Sequence, residues 1–260
     1  MPVRRDRRAF GPGPFLLGLR RDPRRSIDDY RSELPVVAGI ERLAFDTRVT
    51  LLSGDNGSGK STLIELVAEA IGFDAQGGEL ERKGQLPATP RGAIKGAIEP
   101  VLSATKPRNG YFLRAESFFN VAAFTDSDDR FAPDLSLYGD TALHEQSHGE
   151  SFLALAANRF GPDGLYVLDE PEAALSVTGL LALVAVIVRA SGGGGQFIIA
   201  THSPVLLACP GARIYELDAE LGARESSYDD LDAVRLTRGF LEAPERYLRA
   251  ALADPDDAVR

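Results

Sequence analysis

The sequence predicts an α/β protein, a mostly parallel sheet with helices on both faces. Three observations carry this. The runs VTLLSG (49–54), LYVLD (165–169) and QFIIA (196–200) are nearly all apolar, the pattern of strands covered on both sides. Helix-length segments with apolar residues at three- and four-residue spacing lie between them. Glycine, proline and short polar clusters mark the joins.

In chain order, a strand is expected over PVVAGIERLAF (35–45) and another over 49–54, with Asp46 and Thr47 as the turn between. A helix follows from Lys60 to Ile71. Residues 74–110 carry many Gly, Pro and charged side chains and no clear period. A short strand YFLRA (111–115) leads to ESFFNVAAF (116–124), read as helix, and then to a polar loop up to Ser147. Next come a helix over 149–160, the strand 165–169, a long apolar helix to Arg189, a linker SGGGG (191–195) and the strand 196–200. Ser203 reads as the N-cap of a short helix with Pro204 at its first position. RIYEL (213–217) reads as the last strand and 229–252 as a closing helix. The whole chain, 1–260, is expected as a single domain, with a basic arm at 1–34, an irregular insertion at 74–147 and a helical extension at 218–260. It holds no internal repeat and no heptad run.

The 260 residues suffice for a sizeable core, and 44% apolar with 26% charged residues is globular composition. No run reaches membrane-spanning length and the start MPVRRDRRAF lacks a signal-peptide core, so a cytoplasmic location is expected. Cys209 is the single cysteine, which excludes an internal disulfide or a cysteine-built metal site and fits a small buried hydrophobe. The net charge of −9 argues against a protein coated in nucleic acid. Eight arginines against two aspartates nevertheless crowd residues 1–25. Such an arm meets phosphates or an acidic partner, or is simply a solvated tail.

GDNGSGKS (54–61) places Gly54, four residues, then Gly59, Lys60 and Ser61, which is the P-loop pattern. Gly54, Asp55, Asn56, Gly57, Ser58 and Gly59 would curl so that backbone N–H groups converge, and the helix entered through Lys60, Ser61 and Thr62 adds its positive end. Phosphate is the matching occupant. Lys60 would reach the β- and γ-phosphates and Ser61 would ligate Mg²⁺.

LYVLDEPEAALS drives an apolar strand into Asp169 and Glu170. Asp169 can hold Mg²⁺ and Glu170 can orient or deprotonate a water; a carboxylate pair before Pro171 also reads as an ordinary helix start. These motifs, in this order, resemble the ABC-type ATPase superfamily. QSHGES (146–151) resembles its signature segment, with Ser147 at the signature serine and Gly149 at the second glycine, while His148 and Gln146 depart from the pattern. EAALS (172–176) resembles the D-loop, and IIATHS (198–203) the switch strand ending in His202. The glutamine expected after the P-loop helix is not found; Glu116 stands near its place and would touch Mg²⁺ or the water.

The resemblance covers roughly 35–217 and is strongest to small ATPases related to chromosome-maintenance and RecF-like heads. It implies a P-loop fold with a small antiparallel β region and a helical subregion, ATP and Mg²⁺ as ligands, and ATP hydrolysis. Glu170 would be the general base, Lys60 and His202 would stabilise charge, and Ser61 and Asp169 would hold the metal. Two copies would close head to tail on ATP, Ser147 and Gly149 of one capping the phosphate of the other. Such a switch would serve a macromolecular partner, nucleic acid among the candidates, in DNA maintenance or defence. The alternatives are a transporter's ATP-hydrolysing subunit and a weakly hydrolysing regulator.

Overall fold

Strands buried on both faces form the centre of the molecule in a computed structural model, which describes residues 14–25, 30–74, 77–80, 97–115 and 148–252. The elements run β1 (Leu16–Arg21), α1 (Pro35–Ala38), β2 (Arg42–Ala44), β3 (Val49–Gly54), α2 (Lys60–Ile71), β4 (Gly78–Glu79), β5 (Ile98–Leu102), β6 (Asn109–Arg114), α3 (His148–Arg159), β7 (Gly164–Asp169), α4 (Val177–Gly192), β8 (Gln196–Ala200), α5 (Pro204–Leu207), β9 (Arg213–Asp218), β10 (Gly222–Ser226), α6 (Asp232–Glu242) and α7 (Pro244–Leu252).

The main sheet has the order β10-β9-β3-β8-β7-β6-β4. Its five middle strands are parallel, and β10 and β4 close the edges antiparallel. Because side chains alternate along a strand, each central strand feeds two cores. Leu52, Val167 and Ile198 pack with α2 on one face, and Leu51, Tyr166, Leu168, Phe197 and Ile199 pack with α3, α4 and α5 on the other. The predicted fold class is therefore what forms.

A second, antiparallel sheet of order β2-β1-β5 lies over the α2 face. It is latched to the main sheet by Gln196, fully buried at the start of β8. The Gln196 Oε1 accepts from the N–H groups of Phe15 and Leu16 at 2.8 and 2.9 Å, and its Nε2 donates to the carbonyls of Leu16 and Phe45 at 2.7 and 2.9 Å.

Several boundaries differ from the sequence reading. Residues 35–38 are helical, with Pro35 opening the turn, and only Arg42–Ala44 of the expected strand 35–45 is extended. Part of the expected basic arm is β1, the middle strand of the small sheet. The long helix α4 absorbs Ser191 and Gly192 of the expected linker. Ser203 precedes α5 but its side chain makes no capping hydrogen bond. The strand at 213–217 is not the last, since β10 pairs back onto it. The expected helix 229–252 is two helices, because Ala243 leaves the helical conformation and Pro244 starts a new helix. The helix expected at 116–124 lies outside the described residues.

Candidate functional site

Neighbouring parallel strands end together, so β3, β7 and β8 deliver their following residues to one rim of the sheet. In open parallel sheets this carboxyl rim is where ligands bind. β3 ends at Gly54, and residues 55–59 curl into α2. Gly57 and Gly59 take φ of 85° and 90°. A Cβ on Gly59 would stand 2.6 Å from Val36 Cγ1, so both conformation and space demand glycine there. No side chain caps α2 and no acidic residue sits in its first turn. The N–H groups around Ser61 and Thr62 thus face outward with the helix's positive end, the arrangement an anion fits. Ser58 is buried, its Oγ without a partner among the described residues.

Lys60 is buried as well, and its ammonium donates to the carbonyls of Gly54 at 2.7 Å and Asp55 at 2.9 Å. It therefore lies folded over the loop. The Ser61 hydroxyl donates to Asp169 Oδ1 at 3.3 Å, which sets two oxygen ligands side by side, a donor set suited to a hard cation such as Mg²⁺. Burial pushes the Asp169 carboxyl up to about 6, against the pull of the Arg114 guanidinium, with the neighbouring Glu170 also raising it. A cation placed beside it would relieve that cost.

Glu170 holds a left-handed backbone, φ 46° and ψ 52°, and its N–H donates to Ala200 O at 3.0 Å. This turn aims the side chain across the rim. Its Oε1 lies 3.8 Å from Lys60 Nζ and 3.7 Å from His202 Nδ1. Glu170 and His202 are partly exposed, so the carboxylate faces a space that water can enter. Such a group can accept a proton from water.

The five predicted residues thus meet in two sets of contacts, Ser61 with Asp169, and Lys60 and His202 each with Glu170. Gly149 lies in the first turn of α3, beside the carbonyl of Ala174. Ser147 and Glu116 lie outside the described residues. Sequence reasoning missed Arg114, which pairs in register with Asp169, and Glu172, which touches His202. The signals were a lone arginine ending an apolar strand and a second glutamate two residues past the first. Among the described residues, no group of three or more His, Cys, Asp and Glu could hold a metal, so a cation here would depend on Ser61, Asp169 and the phosphates.

A family model described as "AAA domain, putative AbiEii toxin, Type IV TA system" matches residues 136–208. The cytochrome c biogenesis ATP-binding export protein CcmA of Rhodospirillum rubrum is 30% identical over 197 residues, covering 72% of this chain and 82% of that protein. This chain belongs to the ABC-type ATPases. Among solved structures, a nucleotide-free ATP-binding cassette from an ABC transporter aligns at 15% identity and TM-score 0.48, covering 90% of this chain and 99% of that one. An SMC head domain from Thermotoga maritima aligns at 16% identity and TM-score 0.40, covering 72% and 93%. No helix among the described residues of the ATPase is long and apolar enough to cross a membrane.

Proposed function

We propose that this ATPase binds ATP with Mg²⁺ on the rim formed by β3, β7 and β8, and closes with a second copy, head to tail, around two nucleotides. The observation that carries the reading is the convergence on one rim of two sets of contacts, Glu170 Oε1 between Lys60 and His202, and Ser61 against Asp169. The N–H groups of the curled loop 54–62 cradle the phosphates, and Lys60 leaves the Gly54 and Asp55 carbonyls to meet them. Ser61 and Asp169 would hold the metal, and Glu116 would touch it or the water. Bound magnesium neutralises phosphate charge. Glu170 takes the proton of the attacking water on its carboxylate, and His202 and Lys60 steady the charge that develops.

Ser147 and Gly149 of the second copy complete each pocket, so ATP favours the closed pair and hydrolysis reopens it. That cycle serves as a conformational switch for a macromolecular partner in DNA maintenance or defence. The test is Glu170→Gln: ATP binding is retained, turnover stalls, and a dimer accumulates in size-exclusion chromatography with ATP and Mg²⁺. Parental turnover in this variant would remove Glu170 as the base.

A second reading has specific support. The R. rubrum relative is named as an ATP-binding export protein, and a chain with that role would co-purify with a membrane-embedded partner. Recovery of such a partner, together with turnover indifferent to DNA, would favour it.

A further inference from the structure

Glu172 is the second glutamate of the DEPE stretch, in the short 3-10 turn Pro171–Ala174. Its side chain is 7% exposed. One of its oxygens carries the contacts with the segment that follows β8. Oε1 accepts from Thr201 Oγ1 at 2.7 Å and from the backbone N–H of His202 at 2.7 Å, and lies 3.1 Å from His202 Nδ1. The other oxygen, Oε2, is buried without a partner among the described residues. Thr201 Oγ1 in turn accepts from Ser203 N–H at 3.0 Å, and Thr201 N–H donates to Leu52 O at 3.0 Å, so this segment is tied to both Glu172 and β3.

We infer that Glu172 is a positioning residue for His202. A carboxylate oxygen 3.1 Å from Nδ1 draws the ring hydrogen to that nitrogen by its charge, leaving Nε2 as the atom that meets a ligand. Glu170 Oε1, at 3.7 Å from the same Nδ1, is the other carboxylate facing the ring, and Lys60 stands beyond it. Because the Glu172 oxygen also holds the His202 backbone, ring and main chain are set by one group. Two neighbouring carboxylates then have separate tasks: Glu170 faces the open rim, and Glu172 sits behind the histidine.

This rests on the proposed role of His202, and the experiment separates the two. The chain has three histidines, His144, His148 and His202, so nitrogen NMR of the histidine-labelled full-length protein resolves them, with His202→Gln assigning the signal. Without nucleotide, His202 of the parent should carry its hydrogen on Nδ1. Glu172→Met, of similar bulk without an acceptor, should shift the hydrogen to Nε2 and lower kcat roughly tenfold or more, with the KM for ATP within about threefold of the parent. Glu172→Gln keeps an acceptor oxygen and should hold the Nδ1 hydrogen and recover most of kcat. An unchanged ring tautomer in Glu172→Met overturns the inference, whether or not activity falls. A parent that shows the Nδ1 hydrogen but turns over no ATP would instead sink the proposed function and leave the positioning contact standing.

Discussion

Arg114 and Asp169 face each other as the last residues of adjacent parallel strands, with the guanidinium 3.6 Å from Asp169 Oδ2. The same guanidinium bonds Glu65 of α2 at 2.8 Å. It therefore clamps the P-loop helix to the strand that carries the acidic pair. Arg114→Met leaves two largely buried carboxylates without this cation, and should cost about 2–3 kcal/mol of stability in urea unfolding. Arg114→Lys, which retains one point charge, should lie between the parent and the methionine variant. Equal midpoints for all three would show that the clamp contributes nothing.

Replacing Gly59 by alanine forces a left-handed residue with its Cβ against Val36. The expected loss is about 1–3 kcal/mol in thermal or chemical unfolding, along with weaker binding of a fluorescent ATP analogue. Gly211, also left-handed but with open space around it, gives the control: its alanine variant should cost less and leave nucleotide binding intact.

Lys60 and Ser61 should separate phosphate from metal. Lys60→Ala is expected to weaken ATP analogue binding by roughly a hundredfold, the scale of one buried charge contact. Ser61→Ala should bind the analogue in EDTA about as well as the parent and gain little from added Mg²⁺. Calorimetric titration with and without the metal reads both outcomes, and an undiminished magnesium response in Ser61→Ala would refute its role.

Gln196→Leu keeps the bulk of the side chain but strands the N–H groups of Phe15 and Leu16 and the carbonyl of Phe45. Buried backbone groups left without partners cost about 1–3 kcal/mol each, so the variant should lose roughly 3 kcal/mol or more in urea unfolding. Backbone amides of residues 15–20 should exchange faster with deuterium than those of α4. Uniform protection would mean that the small sheet is held by other contacts.

The elements legible in the sequence are those whose residues are dictated locally or by complete burial. β8 and α2 were placed with the boundaries they have, since QFIIA is buried at every position and α2 begins and ends at left-handed glycines. β1 was missed because LLGLRR presents two arginines to the surface and gains its strand partners from residues 42–44 and 98–102, far along the chain. β10 was missed for a related reason: GARES is mostly exposed and pairs only along one edge. At the site, the motif spacings located Lys60, Ser61, Asp169, Glu170 and His202. Arg114 and Glu172 were hidden because their importance comes from strand register and from a turn folding back, neither of which a one-dimensional pattern displays.

Cys209, two residues past the end of α5, is buried in the core, and burial pushes its thiol up to about 11. At neutral pH it is then a poor nucleophile. The wild-type chain is consequently a silent background for thiol chemistry: a single cysteine introduced at Leu221, 83% exposed on the β9–β10 turn, becomes the one site that a maleimide dye labels readily. Donor- and acceptor-tagged copies mixed together would report the approach of two molecules by energy transfer, in real time, from a position that shares a cavity with Gly54, Asp55, Asn56 and Ser58.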